Sequence, residues 1–255
     1  MVSAHPIDWR ITEQEVATSS SDLARQAIDA DAHNAEGQVF IVGEQTAGRG
    51  RRGRPWTSLP GDGLYMSIII CPQRAQQDWP SLSFVASLSA CLAIEQLCSD
   101  ITPQLKWPND LLLNGQKLGG ILLEAYQGFV IIGMGLNLKN APHLEGSDWQ
   151  ATDLTAHGAG HITPSVLASE IVSVFEPHYA IWQDAGAAPL LARWQDKASL
   201  IGRQMQVRLA DKMVVGCCQS FGPDGSLMLC DAEDQLHHIT AGDVVMMGDL
   251  DAASH

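Results

Sequence analysis

The chain has 255 residues, is 45% hydrophobic and carries a formal net charge of −14, with a pI near 4.8. That size and apolar content can bury a full core, as one large domain or one with a small module. The acidity excludes a broad nucleic-acid or anionic-membrane surface, which needs a basic field.

Three further readings lead us to expect a reducing cytoplasm. No apolar run approaches the roughly 18 residues of a membrane span. The opening MVSAHPIDWRITEQE has neither the basic nor the apolar region of a signal peptide. Six cysteines stand without a C-x-x-C pair, several in apolar patterns where reduced thiols act as small hydrophobes.

In chain order, SSDLARQAIDAD (20–31) offers a Ser/Asp start and apolar Leu23, Ala24, Ala27 and Ile28, a helix with an N-cap. Val39 to Val42 is a short apolar run and predicts a buried strand. Leu64 to Ile70 is a second strand, stopped at Cys71-Pro72. From Leu82 to Cys98 the apolar positions keep a helical period over four turns or more. Leu111 to Leu113 and Leu118 to Leu123 flank Asn114-Gly115, the signature of a type I′ hairpin. Phe129 to Leu138 predicts another strand, with glycines that permit close approach of a ligand or backbone. Residues 140–163 read as a surface connection, and helices are predicted over Ser165–Trp182 and Pro189–Trp194. After that come short strands at 205–209, 214–216, 227–229 and 244–246, separated by Asp211-Lys212, Pro223-Asp-Gly-Ser and Ala241-Gly-Asp. Such spacing predicts a small β-barrel appended to an α+β domain.

Two clusters carry the chemistry. GRGRRGRPW (48–56) packs four of the fifteen Lys and Arg side chains into residues 49–54, interleaved with glycine. Arginine forks suit phosphate or carboxylate, and glycines let a backbone approach and move. The alternatives are a disordered surface loop or an Arg-Gly segment touching RNA. KWPND (106–110), followed by KLGGIL (117–122), adds two lysines, an amide and a carboxylate around a hairpin. Together with the arginine loop, these lysines and a carboxylate able to hold magnesium favour a polyphosphate site. There is no P-loop, no dinucleotide fingerprint and no Gly-x-Ser-x-Gly, and no cysteine has an evident histidine partner. His157-Gly-Ala-Gly-His161 has an i,i+4 spacing, but its glycines speak against a metal-binding helix face. The chemistry therefore needs no protein nucleophile.

In that order and spacing, GRGRRGRPW, KWPND, KLGGIL and GMGLN (133–137) resemble the biotin protein ligase family, with a likeness running from about Ile11 to Met247. The resemblance implies an α/β (α+β) fold: a mixed-sheet, class II synthetase-like catalytic domain over residues 1–198, then a C-terminal SH3-like barrel over 199–255. It implies the monofunctional type, without an N-terminal DNA-binding domain, and leaves monomer or homodimer open. The implied reaction has two steps. Biotin carboxylate attacks the α-phosphate of ATP, supplied with Mg²⁺ as counter-ion, and a lysine of a biotin carboxyl carrier domain then takes biotin from biotinyl-AMP.

Carried over by position, Thr18, Ser19, Ser20 and Gln45 would meet the biotin ring system, Ser20 standing where the family has Asn. Arg49, Gly50 and Arg51 would lie near carboxylate and phosphate, with Trp56 as an aromatic wall. Lys106 would be the main electrostatic catalyst, assisted by Arg51. Asn109 and Asp110 would help place ATP and magnesium, Lys117 would meet the polyphosphate, and Asn137 would lie near adenosine. A lipoate ligase, which shares the acyl-adenylate logic, is the alternative among enzymes.

Overall fold

The computed structural model describes residues 7–143, 150–198, 200–209, 212–222 and 224–246. Asp211 and Pro223 of the expected barrel turns, part of the 140–163 connection and Ser199 at the expected domain boundary lie outside the described residues.

The first strand among the described residues, β1 (Arg10–Ala17), is one that sequence patterning missed. Its side chains are nearly all exposed, so no apolar alternation marks it. It runs parallel to β2 (Gln38–Gln45), joined through helix α1 (Ser20–Ala30). Ser19 caps that helix, its side chain accepting from the Asp22 backbone N–H. Strands β3 (Gly63–Ile70), β4 (Gln104–Lys106), β5 (Asp110–Leu113), β6 (Gln116–Tyr126) and β7 (Phe129–Asn137) complete a seven-stranded mixed sheet of order β1-β2-β3-β7-β6-β5-β4. The β5–β6 hairpin turns at Asn114 (φ 50°) and Gly115 (φ 75°), the positive angles its sequence predicts. Strand β4, three residues long, is too short to declare itself in sequence.

Both faces of this sheet are covered, which is why every residue of β3 is buried. Leu64, Met66, Ile68 and Ile70 join the main core under α2 (Leu82–Leu97), α3 (Pro164–Ala185) and α4 (Ala188–Ala198). Ile69 packs on the opposite face with Ala24 and Ile28 of α1. The sequence predicts α2 with one apolar stripe, but it is buried on most sides. By length and composition the stretch Gln76–Leu97 could cross a bilayer, yet 72% of its apolar window is buried inside the protein. Three serines in this region, Ser81, Ser87 and Ser89, meet side chains of α3 and α4. Trp182 Nε1 donates to Ser81 just before α2 at 2.8 Å, Trp194 Nε1 donates to Ser87 at 3.0 Å, and His178 lies 3.0 Å from Ser89.

Beyond α4 a second, antiparallel sheet forms from β8 (Gln204–Arg208), β9 (Met213–Phe221), β10 (Leu227–Cys230), β11 (Leu236–Ile239) and β12 (Asp243–Met246), in the order β11-β10-β9-β8-β12. β11 was not read from sequence, since its pair of histidines breaks the apolar pattern. Phe221 stacks edge-on to Trp194, which meets Phe84 of α2 in the same way, at centroid distances of 5.2 and 4.6 Å. Aromatic edges therefore join the second sheet to the first core.

Candidate active site

The site-bearing residues gather on the α1 side of the large sheet. At one end lies a knot of small polar groups. The Ser20 backbone N–H donates to Gln45 Oε1 at 2.9 Å, and its hydroxyl lies 3.3 Å from the same oxygen. Gln45 Nε2 donates to Ser58 Oγ at 3.2 Å, so the amide is fixed at both ends. Ser67 of β3, wholly buried, sits 2.8 Å from Ser20 Oγ and 3.1 Å from Ser21 Oγ. Ser21, Ser58 and Ser67 were not singled out in sequence. The signal was there in Ser67, one hydroxyl inside the apolar run LYMSIII, because a buried polar group requires partners. Thr18 is exposed at the rim, and its side chain helps hold Asp22.

At the other end is a charge cluster. Lys106, only 6% exposed, closes β4, and its Nζ lies 3.9 Å from Asp110 Oδ2. Lys117 Nζ bonds the other oxygen of Asp110 at 2.9 Å. Burial, the largest influence, pulls the Lys106 ammonium below its ordinary range, while Asp110 opposes that fall. Asn109 is buried beside it, donating to the Ile121 carbonyl at 2.5 Å and accepting from Arg51 Nη1 at 3.1 Å. Burial likewise lowers Arg51, which stays charged at neutral pH. Asp110 is thus shared by two ammonium groups. Among the described residues no group of three His, Cys, Asp or Glu is placed to cage a metal, so a magnesium at Asp110 would draw its other ligands from the nucleotide it arrives with.

The arginine loop folds back over the sheet as a tight turn. Gly50 N–H donates to the Arg54 carbonyl at 2.7 Å, and Trp56 N–H to that of Gly48 at 2.9 Å. Arg52, at φ 56°, adopts the left-handed conformation at the tip. The Trp56 ring lies flat against β7. A Cβ placed on Gly135 would come 2.5 Å from Trp56 Cε2, so only glycine admits the indole there. Lys117 Nζ stands 5.7 Å from the ring centroid on a cation–π path. The buried Trp56 Nε1 finds no acceptor among the described residues.

Two expected site residues are otherwise engaged. Arg49 turns away from the lysines to Asp22, with Nη2 at 2.7 Å from Oδ1 and Nη1 at 3.2 Å from Oδ2. Arg25 bridges Asp22 at 3.1 Å and Glu124 at 2.5 Å, closing a four-residue ion network. Asn137 is buried and donates to the Thr152 carbonyl at 3.0 Å, at the far end of β7. His157 donates or accepts at Thr152 and Asn114, which gives it a structural place. A cavity of about 500 Å³ opens beyond Arg51 and Asn109, bordered by Leu122, Trp79 and Gly225; Gln45, Trp56 and Lys106 do not line it.

A fixed amide-and-hydroxyl knot, an indole against β7 and a cluster of Lys106, Lys117 and Arg51 around Asp110 and Asn109 thus lie on one side of the sheet. Comparison with known proteins gives the family. The Biotin/lipoate A/B protein ligase family matches residues 16–137. The biotin–[acetyl-CoA-carboxylase] ligase of Mycobacterium tuberculosis is 34% identical over 245 residues, 93% of this chain and 89% of that protein. The chain belongs to the biotin protein ligase family. The Paracoccus denitrificans biotin–[acetyl-CoA-carboxylase] ligase is 33% identical over 206 residues, 76% of this chain and 84% of that protein. In fold, the Aquifex aeolicus biotin protein ligase, solved with biotin and ATP, superposes with a TM-score of 0.79 at 21% identity, covering 93% of this chain and 98% of that one. The mixed sheet with a C-terminal antiparallel sheet is thus the fold of biotin protein ligases.

Proposed function

We propose that this chain activates biotin with MgATP to biotinyl-5′-AMP and transfers biotin to a lysine of a biotin carboxyl carrier domain in the cytoplasm. Residues 1–198 form the catalytic unit and 199–255 an SH3-like unit. The observation that carries the reading is the buried Lys106, held beside Asp110 and Lys117 and reached by Arg51 through Asn109.

In the first step a biotin carboxylate oxygen attacks the α-phosphorus, and pyrophosphate leaves with the electrons of the broken P–O bond. Two anions must meet, and the substrates supply both nucleophile and leaving group. The protein's task is alignment and charge neutralisation. The Lys106 ammonium lies between carboxylate and α-phosphate, where a dry surrounding strengthens its field. Asp110 orients both lysines and favours the charged form of Lys106, and Lys117 faces the polyphosphate carried in with its magnesium. Arg51 covers the adenylate phosphate. Ser19, Ser20 and Gln45 meet the polar edge of the biotin rings, with Thr18 at the rim. Ser20 stands where the family has Asn, its hydroxyl 2.8 Å from that of Ser67. Trp56 walls the ligand, Gly50 gives backbone access, Arg49 pins the loop through Asp22, and Asn137 lines the adenosine end.

In the second step the ε-amine of the acceptor lysine attacks the anhydride carbonyl. An amide forms, the C–O bond to AMP breaks, and the amine gives up its proton.

The test is incubation with biotin and MgATP, then gel filtration and analysis of the retained small molecule. AMP-linked biotin should co-elute with the protein, and ATP–pyrophosphate exchange should require biotin. Exchange driven by lipoate in place of biotin would overturn the substrate assignment.

A further inference from the structure

The second sheet reaches the arginine loop through Asp243 and its neighbour Gly242. Asp243, at the start of β12, lies 3.5 Å from Arg51 Nη1, 3.4 Å from Arg52 Nη1 and 3.0 Å from Arg54 Nη2. Arg51 Nη2 also donates to the Gly242 carbonyl at 3.2 Å. One carboxylate faces three guanidinium groups, so the cluster remains cationic and still attracts an anion. The carboxylate is presented by a packed surface. Trp107, next to Lys106, donates its indole N–H to the Gly225 carbonyl at 2.9 Å, and Phe84 packs against Phe221 at 6.5 Å between centroids. These contacts fix the second sheet against the element that bears the catalytic lysine.

The four arginines therefore do different work. Arg54, with 66% of its side chain exposed, and Arg52 contact Asp243 at the outer side of the loop. Arg51 is shared between Asp243 and Asn109, bridging from the second sheet to the lysine cluster. Arg49 is tied to α1 through Asp22. Without Asp243 the three loop cations would repel one another with no counter-charge from β12.

We infer that Asp243 is a positioning residue: the C-terminal sheet uses its carboxylate to hold the arginine loop closed, with Arg51 aimed at the adenylate phosphate. It touches no substrate and acts through Arg51. The inference rests on the proposed role of the loop, and two separate readouts keep the claims apart. Limited trypsin digestion after Arg49, Arg51 and Arg52 reports loop closure without any ligand. Dissociation of preformed AMP-linked biotin reports what closure does for the intermediate.

In the full chain, Asp243→Asn should be nicked faster in the loop and should release the intermediate about tenfold faster, the scale of losing charge-assisted contacts that hold a closed state. Biotin affinity and melting temperature should stay those of the wild type, and Asp243→Glu should restore slow nicking and slow release. Should Asp243→Asn lose its fold, the double variant Arg52→Ala/Arg54→Ala removes two of the three loop contacts to Asp243 and should likewise speed nicking after Arg49 and Arg51 and release of the intermediate. Wild-type nicking and release rates in a folded anchor variant would overturn the inference. If the wild type itself retained no AMP-linked biotin, the functional reading would fall, and the nicking comparison would still decide whether Asp243 holds the loop.

Discussion

The arginine loop and the lysine hairpin are both cationic, and the protein holds them in opposite ways. The Lys106 side chain is 8% exposed on a strand end, with its carboxylate partner one hairpin position away. The loop arginines range from 27% to 66% exposed and are anchored to acids on other elements. An ammonium in a dry site exerts a strong field and cannot move. A guanidinium at the surface exerts a screened one and can swing. The comparison assigns rate to the hairpin and retention to the loop.

The sharpest way to break this division is to truncate the hairpin cation. Lys106→Ala should lower biotin-dependent ATP–pyrophosphate exchange by roughly 10²–10³, as loss of one well-aimed donor at a developing charge does. Thermal melting should show that the fold survives. Exchange near the wild-type rate would remove Lys106 from the chemistry. Arg51→Gly should act differently: the adenylate forms but leaks about tenfold faster, the scale of one hydrogen bond between charged groups. The reporter is biotin on bystander lysines of an added unrelated protein, and tight retention in this variant would collapse the contrast between the regions.

How far this contrast was legible in sequence differs between its halves. GRGRRGRPW and KWPND announced both clusters because their residue types are costly or useless elsewhere in an acidic chain. The strands and helices of the chain followed from periodicity, apart from β1, β4 and β11. Those three lack apolar alternation because they are edge-exposed, very short or polar. The counter-ions were not legible. Asp22 lies 27 residues from Arg49, and Asp243 lies 192 from Arg51. Only the folded sheets bring such partners together, and one chain's sequence carries no local mark of a partner so distant. The same holds for Ser67 under Ser20, where the odd hydroxyl was visible but its partner was not.

A subtler probe of the hairpin uses pH. In the proposed mechanism the Lys106 ammonium is the acting form, so activity should fall as pH rises through its folded value. Burial has already pulled that value below 10.5, and the Asp110 charge opposes the fall. Asp110→Asn removes that opposition, so the alkaline limb of the exchange reaction should move to lower pH. A limb that stays in place, or moves to higher pH, would mean that another group governs it.

The smallest expected effect tests the loop's other anchor. Hydrogen bonds from Arg49, the largest influence, lower Asp22 from 3.8 to about 2. A carboxyl depressed in the folded state stabilises it above the unfolded value and loses that contribution as pH falls through the folded one. The wild type should therefore exceed Asp22→Asn by about 1 kcal/mol at neutral pH, a figure reduced for solvent screening around a partly exposed pair. The gap should stay constant down to about pH 4 and close toward pH 2. Urea unfolding of both proteins across that range measures it. A gap that persists at pH 2 would show that Asp22 acts by something other than its charge, such as the bonds it shares with Ser19 and Thr18 at the start of α1. Arg49 would then be held by Glu124, 3.9 Å away, rather than by the helix.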